Sequence, residues 1–212
     1  YKQTGAYSLA LEEFNTALLL NPKRSALYIE REHVYSSIEN YDSALKELKK
    51  ALALGFSNEN IYFRLGFVYS KKEEYGLALQ EFQNCLRENP HNAQAHLQSG
   101  LIYEMNKDYA SAIRELKQAM ADGIENEDIH IHLGQIYSFQ QDYTLAEEEF
   151  QCALRLNPRS GLPHAELAWL HEKKKEYGLA LEELEVAQEK GFKEDSVYKG
   201  LKRLAYKQRV VE

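Results

Sequence analysis

A pattern of apolar side chains recurs through this chain at a constant spacing of 34 residues, and it limits what the chain can fold into. Within residues 75–90, Tyr75, Ala78, Phe82 and Cys85 follow one another at intervals of three and four. This spacing places the four side chains on one face of a helix. An Asn-Pro pair closes the segment, because proline lacks an amide hydrogen and disfavours helical angles in the residue before it.

The same kinds of residue return at the same positions along the whole sequence. The tyrosine of the pattern is found at Tyr7, Tyr41, Tyr75, Tyr109, Tyr143 and Tyr177. An alanine follows three residues after each tyrosine, and a large apolar residue, alternately Phe and Leu, comes four residues later. A repeat of this length in constant register predicts stacked helical hairpins.

A second part of the pattern is a Leu-Gly step, present at 65–66 and 133–134 and approached by the Ser-Gly pair at 99–100. The order aromatic, Leu-Gly, Tyr, then Tyr-x-x-Ala, a large apolar residue, Ala and Pro resembles the tetratricopeptide repeat. The steps that depart from it are Arg31-Glu32, Leu167-Ala168 and Leu201-Lys202. The resemblance implies an all-α fold, a right-handed superhelical solenoid of antiparallel helix pairs.

The register divides the chain into successive segments. The divisions are 1–24, the second half of a truncated repeat; the repeats 25–58, 59–92, 93–126, 127–160 and 161–194; and a C-terminal capping helix, 195–212. We predict that the basic last segment caps the solenoid, which must end in a helix with one polar face. A site for an anion or an acidic partner is the alternative. The incomplete first repeat indicates a fragment of a longer protein.

The ends of the hairpins alternate between two sequences. Asn-Pro pairs at 21–22, 89–90 and 157–158 alternate with Gly-hydrophobe pairs at 55–56, 123–124 and 191–192. Glycine followed by a hydrophobe suits a left-handed helix cap, whereas asparagine before proline should be extended. We therefore predict two different turns.

The first helix of each hairpin carries a second stripe of mainly apolar side chains, which the resemblance places on the concave face. The candidate partner-binding residues on this groove are Ile29, His33, Phe63, Arg64, Phe67, Leu97, Gln98, Leu101, Ile131, His132, Gln135, Glu166 and Trp169. Because exposed apolar patches usually bind something, we expect a peptide or an amphipathic helix of a partner protein there. The alternative is that curvature buries the stripe between neighbouring helices.

Composition and motifs argue against other classes of function. The net charge of −7 disfavours nucleic acid, and we find no basic stripe outside the last helix. No apolar run is long enough to enter a bilayer. The two cysteines, Cys85 and Cys152, are expected to be free thiols in a reducing compartment, so we expect a cytoplasmic protein.

No catalytic motif and no cofactor site is predicted. His96, His130 and His164 occupy equivalent positions one repeat apart, too distant to share a metal ion, and are expected to be core side chains. The sequence therefore favours a non-catalytic scaffold for protein–protein interaction. The alternatives are the regulatory or targeting region of a larger enzyme, or a module that associates with itself.

Overall fold

The computed structural model describes residues 2–192 and, after them, Gly200, Arg203 and Leu204. Within this part of the chain there are eleven α-helices and no β-strand. The all-α helical-repeat fold predicted from the sequence is therefore confirmed. Apart from these three residues, the predicted capping helix at 195–212 lies outside the described residues.

The chain divides into two compact units, Tyr1–Asn106 and Lys107–Glu212. The helices of the first unit are α1 (Lys2–Leu20), α2 (Ser25–Ser37), α3 (Tyr41–Ala53), α4 (Glu59–Lys71), α5 (Tyr75–Glu88) and α6 (Ala93–Met105). Each packs against the next in the sequence, most extensively in the hairpins α2·α3 and α4·α5.

The second unit repeats this arrangement. Its helices are α7 (Tyr109–Ala121), α8 (Glu127–Phe139), α9 (Tyr143–Leu156), α10 (Leu162–Lys173) and α11 (Tyr177–Glu189). The hairpins α8·α9 and α10·α11 make the most extensive contacts in this unit.

The repeated apolar positions form the core of each unit. In α5, Ala78, Phe82 and Cys85 are completely buried, and their equivalents in α3, α7, α9 and α11 are also buried. Gly66 lies directly beneath Phe82, because a Cβ atom at Gly66 would stand only 2.6 Å from the ring. Gly134 has the same relation to Phe150, at 2.5 Å. The glycine of the Leu-Gly step thus makes room for the large aromatic residue of its own hairpin.

The two predicted turn types are confirmed. Gly55, Gly123 and Gly191 have positive φ, whereas Asn89 has φ −138° and ψ 96°. After α3, the amide of Phe56 donates to the carbonyl of Ala51 and that of Gly55 to the carbonyl of Leu52. These two bonds form a Schellman motif, which satisfies carbonyls that the helix leaves free.

A third turn, inside each hairpin, is not evident from the sequence. The second residue after the first helix has positive φ but is never glycine; these residues are Glu39, Glu73, Lys107, Gln141 and Lys175, with φ between 58° and 65°. Left-handed angles are unfavourable for residues with a Cβ. The hydrogen bonds of the turn hold them there: after α4, for example, the amide of Glu74 donates to the carbonyl of Tyr69.

Candidate interaction surface

The predicted stripe of the first unit is half-buried. Ile29, Phe63, Phe67, Leu97 and Leu101 are all partly exposed. Phe63 serves two roles, since its ring packs against that of the core residue Phe82 at 5.7 Å between centroids. The stripe is therefore neither open throughout nor sealed by its own side chains.

Three other predicted residues of the first unit differ in their surroundings. His33 is exposed at the surface of α2. Arg64 donates a hydrogen bond of 2.7 Å to Glu32, a carboxylate that is only 3% exposed. Arg64 is thus engaged within the protein, as the partner of a buried charge. Gln98, on α6, is partly exposed.

The second unit presents a clearer cleft. It has a volume of about 640 Å³ and lies between α8, α10 and the residues that follow α11. The residues that line it are Gln135, Ser138, Phe139, Leu162, Ala165, Glu166, Ala168, Trp169, Glu172, Leu184, Phe192, Gly200, Arg203 and Leu204. Three of the predicted residues, Gln135, Glu166 and Trp169, are among them.

Trp169 and Phe139 supply the exposed aromatic surface of this cleft. Trp169 is 39% exposed and Phe139 69% exposed. The ammonium group of Lys173 stands 4.9 Å from the centre of the Trp169 ring, in cation–π contact. Phe139 stacks against Tyr109, with centroids 6.0 Å apart and planes at 5°.

Polar contacts fix the carboxylates of the cleft. Gln135 donates a hydrogen bond of 2.6 Å to Glu166, and Arg203 donates one of 2.5 Å to Glu172. These contacts tie α8 to α10, and α10 to the residues beyond α11. The cleft thus combines hydrogen-bonded polar side chains with apolar ones.

The remaining predicted residues of the second unit are less accessible. Ile131 is buried, at 5% exposure, and so contributes to the core of the unit. His132 is partly exposed on the same helix. Phe139, which the sequence prediction omitted, lies four residues after Gln135 and continues the stripe by one more helical turn. The same spacing would have identified Met105, which is 60% exposed at the end of α6.

A second cleft, of about 620 Å³, lies in the first unit between α3, α4 and the start of α5. Four lysines, Lys46, Lys49, Lys50 and Lys72, line it together with the acidic residues Asp42 and Glu74. Much of this charge is neutralised locally. Lys72 bonds Asp42 at 2.7 Å and Glu74 at 2.9 Å, and these hydrogen bonds raise its pKa.

The two thiols differ in burial, and so do the three equivalent histidines. Burial raises the pKa of Cys85 to about 11, so this residue remains a neutral core side chain. Cys152 is half-buried, and burial raises its pKa as well. His130 is buried, whereas His96 and His164 are only partly buried.

Comparison with known proteins agrees with this geometry. Residues 63–125 and 127–160 match two sequence profiles of the tetratricopeptide repeat. The chain is a tetratricopeptide repeat protein. No curated protein sequence matches it.

Three solved structures illustrate the likeness of fold. The C-terminal part of a TPR repeat-containing protein from Cytophaga hutchinsonii is 20% identical, with a TM-score of 0.76, over 89% of this chain and 75% of that one. YrrB, described as a TPR protein with an unusual peptide-binding site, is 22% identical, with a TM-score of 0.75, over 89% and 97%. PilF from Pseudomonas aeruginosa is 25% identical, with a TM-score of 0.73, over 86% and 83%.

The fold indicates a scaffold for protein–protein interaction, and tetratricopeptide repeat proteins are typically non-catalytic. In the part of the chain that the structure describes, no helix combines the length and the apolar character needed to cross a membrane.

Proposed function

We propose that this tetratricopeptide repeat protein binds a peptide or an amphipathic helix of a partner protein on the surface of its first helices. The anchor of this interaction is the Trp169 cleft of the second unit. The observation that supports the proposal is two large, exposed aromatic side chains, Trp169 and Phe139, which line a cleft of about 640 Å³.

The chemistry of the cleft suits an apolar anchor side chain. Tryptophan is among the residues that contribute most to binding energy once water is excluded from them. Trp169 keeps 39% of its surface exposed, so its ring is available to a partner side chain. A partner side chain inserted between Trp169 and Phe139 would cover both rings. Glu166 and Glu172, fixed at the cleft, would contact polar groups at its rim.

A peptide library displayed on phage and selected against the immobilised chain tests the proposal. The selected peptides are synthesised, and their affinities for the wild type and for the Trp169→Ala variant are measured by fluorescence anisotropy. We expect Trp169→Ala to weaken binding about tenfold or more, as truncation of a central aromatic residue usually does.

A matched control separates the cleft from general surface hydrophobicity. Leu179, on α11, is 48% exposed, but it does not line the cleft. Leu179→Ala should leave the affinities within about twofold, since scattered surface leucines contribute little. Selected peptides that bind wild type and Trp169→Ala equally well would contradict the proposal, as would a failure to select any peptide.

The first-unit stripe is tested with Phe67 rather than Phe63. Phe63 packs on Phe82, so its removal would disturb the core, whereas Phe67 contacts the ammonium group of Lys71 at the surface. If the stripe of the first unit also contacts the partner segment, Phe67→Ala weakens the binding of selected peptides. Unchanged affinities for Phe67→Ala would confine the site to the second unit.

A further inference from the structure

A histidine, a glutamate and a cysteine meet between α8 and α9, away from the residues of the Trp169 cleft. His130 lies in the first turn of α8, and Glu149 and Cys152 are three residues apart on α9. One side-chain donor atom of each residue lies within 4.8 Å of the others. His130 is buried, and the other two are half-buried. The sequence analysis considered only histidines of successive repeats, so it missed this set within one hairpin.

We propose that His130, Glu149 and Cys152 form a binding site for Zn²⁺. Nitrogen, carboxylate oxygen and sulfur are the donors that this ion takes in proteins, and three protein ligands leave a fourth position for water or a ligand from a partner. The ligands come from both helices of one hairpin, so binding would also brace α8 against α9.

The donors need only small movements to reach coordination distances. At present Nδ1 of His130 and Oε2 of Glu149 are 2.7 Å apart, a hydrogen-bond distance. Two such donors at about 2.1 Å from one tetrahedral ion would be ~3.4 Å apart. The imidazole and the carboxylate must therefore separate by about 0.7 Å, while the sulfur already lies within 4.8 Å of both donor atoms.

The charges around the sulfur favour a cation. Besides Glu149, the carboxylates of Glu148 and Glu125 act on the Cys152 thiol. The opposing positive charge there is Arg155, whose guanidinium donates to Sγ of Cys152 at 2.8 Å. Arg155 is exposed on the last turn of α9, so its long side chain can leave the sulfur without disturbing the core.

The neighbouring hairpin provides an internal comparison. In α10·α11, His164 and Glu183 form the same pair, with Nδ1 and Oε2 again 2.7 Å apart. The place of Cys152 is taken there by Val186. The His–Glu hydrogen bond therefore occurs with or without a thiol, and the third donor is what distinguishes α8·α9 as a metal site.

Cobalt(II) titration of the reduced, metal-free chain tests the proposal, since Co²⁺ replaces Zn²⁺ and reports a bound thiolate by a sulfur-to-cobalt charge-transfer band. We expect the band to saturate at about one Co²⁺ per chain and to disappear when Zn²⁺ is added. In Cys152→Val, which copies the next hairpin, the band should be lost. Zn²⁺ affinity should fall about tenfold or more, because even outer partners of a metal site contribute that much.

Two further variants make the test specific. Cys85→Ala should keep the band. Cys85 is buried in the other unit, and its hairpin has no histidine at the position equivalent to His130. Val186→Cys should add a second Co²⁺ site, since it completes the His164–Glu183 pair. Absence of the band in the wild type, its persistence in Cys152→Val, or no second site in Val186→Cys would each overturn the proposal. Circular dichroism of each variant checks that the helices remain formed.

Discussion

Two adjacent hairpins of the first unit have different side chains at the same positions of the repeat. In α4·α5, Leu65 and Gly66 occupy the Leu-Gly step, and the ring of Phe82 fills the space above the glycine. In α2·α3 the same positions hold Arg31 and Glu32, opposite the smaller Leu48. Glu32 is 3% exposed, and it accepts hydrogen bonds from Ser36 at 2.7 Å and from Arg64 at 2.7 Å.

The difference shows that the hairpin geometry does not require the Leu-Gly step. A buried carboxylate is accommodated if its oxygens have partners, because it is the unpaired buried charge that is costly. The aromatic solution instead depends on the absence of a side chain at Gly66. We therefore expect α4·α5 to lose stability when a side chain is added at Gly66, and α2·α3 to lose stability when the charge of Glu32 is removed.

The largest effect should come from Gly66→Ala. Its Cβ would stand 2.6 Å from two carbons of the Phe82 ring, which is fully buried and has no room to move. Overpacking of this kind costs about 2 kcal/mol of unfolding free energy, measurable by urea denaturation. Gly76→Ala is the control, since nothing lies within 4 Å of a Cβ there. This helical site should gain up to about 1 kcal/mol. Equal effects at both glycines would refute the steric explanation.

The charged hairpin should be sensitive to neutralisation. Glu32→Gln removes the charge that pairs with Arg64, and we expect a loss of about 1.5 kcal/mol, reduced because Arg64 is 30% exposed and can regain water. The exposed pair between Lys72 and Asp42 has the same length of 2.7 Å, but Asp42 is 86% exposed. Asp42→Asn should therefore leave the unfolding free energy almost unchanged. If the two substitutions lower the unfolding free energy equally, the burial of Glu32 does not determine how much its ion pair stabilises the protein.

The starts of two helices provide a smaller contrast. Arg24 precedes α2 with φ −76° and ψ 88° and gives no side-chain cap, while Asn92 precedes α6 with φ −73° and ψ 90° and accepts from the amide of Ala95. Because the backbone already has the capping geometry, Arg24→Asn should stabilise the chain by about 1 kcal/mol. Asn92→Ala should lose a similar amount. If Arg24→Asn leaves the unfolding free energy unchanged, the free amides at the start of α2 do not limit its stability.

The smallest effect concerns the turn with positive φ that each of the two hairpins contains. Glu39 and Glu73 both have positive φ, so replacing either by glycine should relieve the Cβ and gain about 0.5 kcal/mol. The gain should be the same in both hairpins. At Gln83, an exposed position inside α5, glycine should instead cost about 1 kcal/mol. Thermal melts of the three variants distinguish these outcomes.

The periodic part of the fold was predictable because each repeated residue does the same task at every recurrence. Ala78 and Phe82 predicted a buried helical face, and Gly55 predicted a left-handed turn. The turn at Glu73 was not predictable, since its residue type carries no preference for positive φ and its hydrogen bonds impose the angle. Tertiary contacts override local preference at such positions.

The surface was predictable only in part, because burial depends on neighbours that the stripe does not reveal. Trp169 is exposed as expected, but Ile131 is buried although it shares the stripe. Arg64 forms an ion pair with Glu32, a residue that departs from the repeat pattern. The cluster of His130 with Glu149 and Cys152 combines residues of two helices, and only the packing of α8 on α9 brings them together.

The seating of Phe82 on Gly66 also bears on the order in which the chain folds. The two residues belong to adjacent helices joined by a short turn, so bringing them together closes only a small loop and loses little chain entropy. The same holds for Phe150 and Gly134 in the other unit. The hairpins of each unit can therefore form early, and because the Phe–Gly contact adds to α4·α5 and α8·α9, amide hydrogen exchange should find these two the last to open.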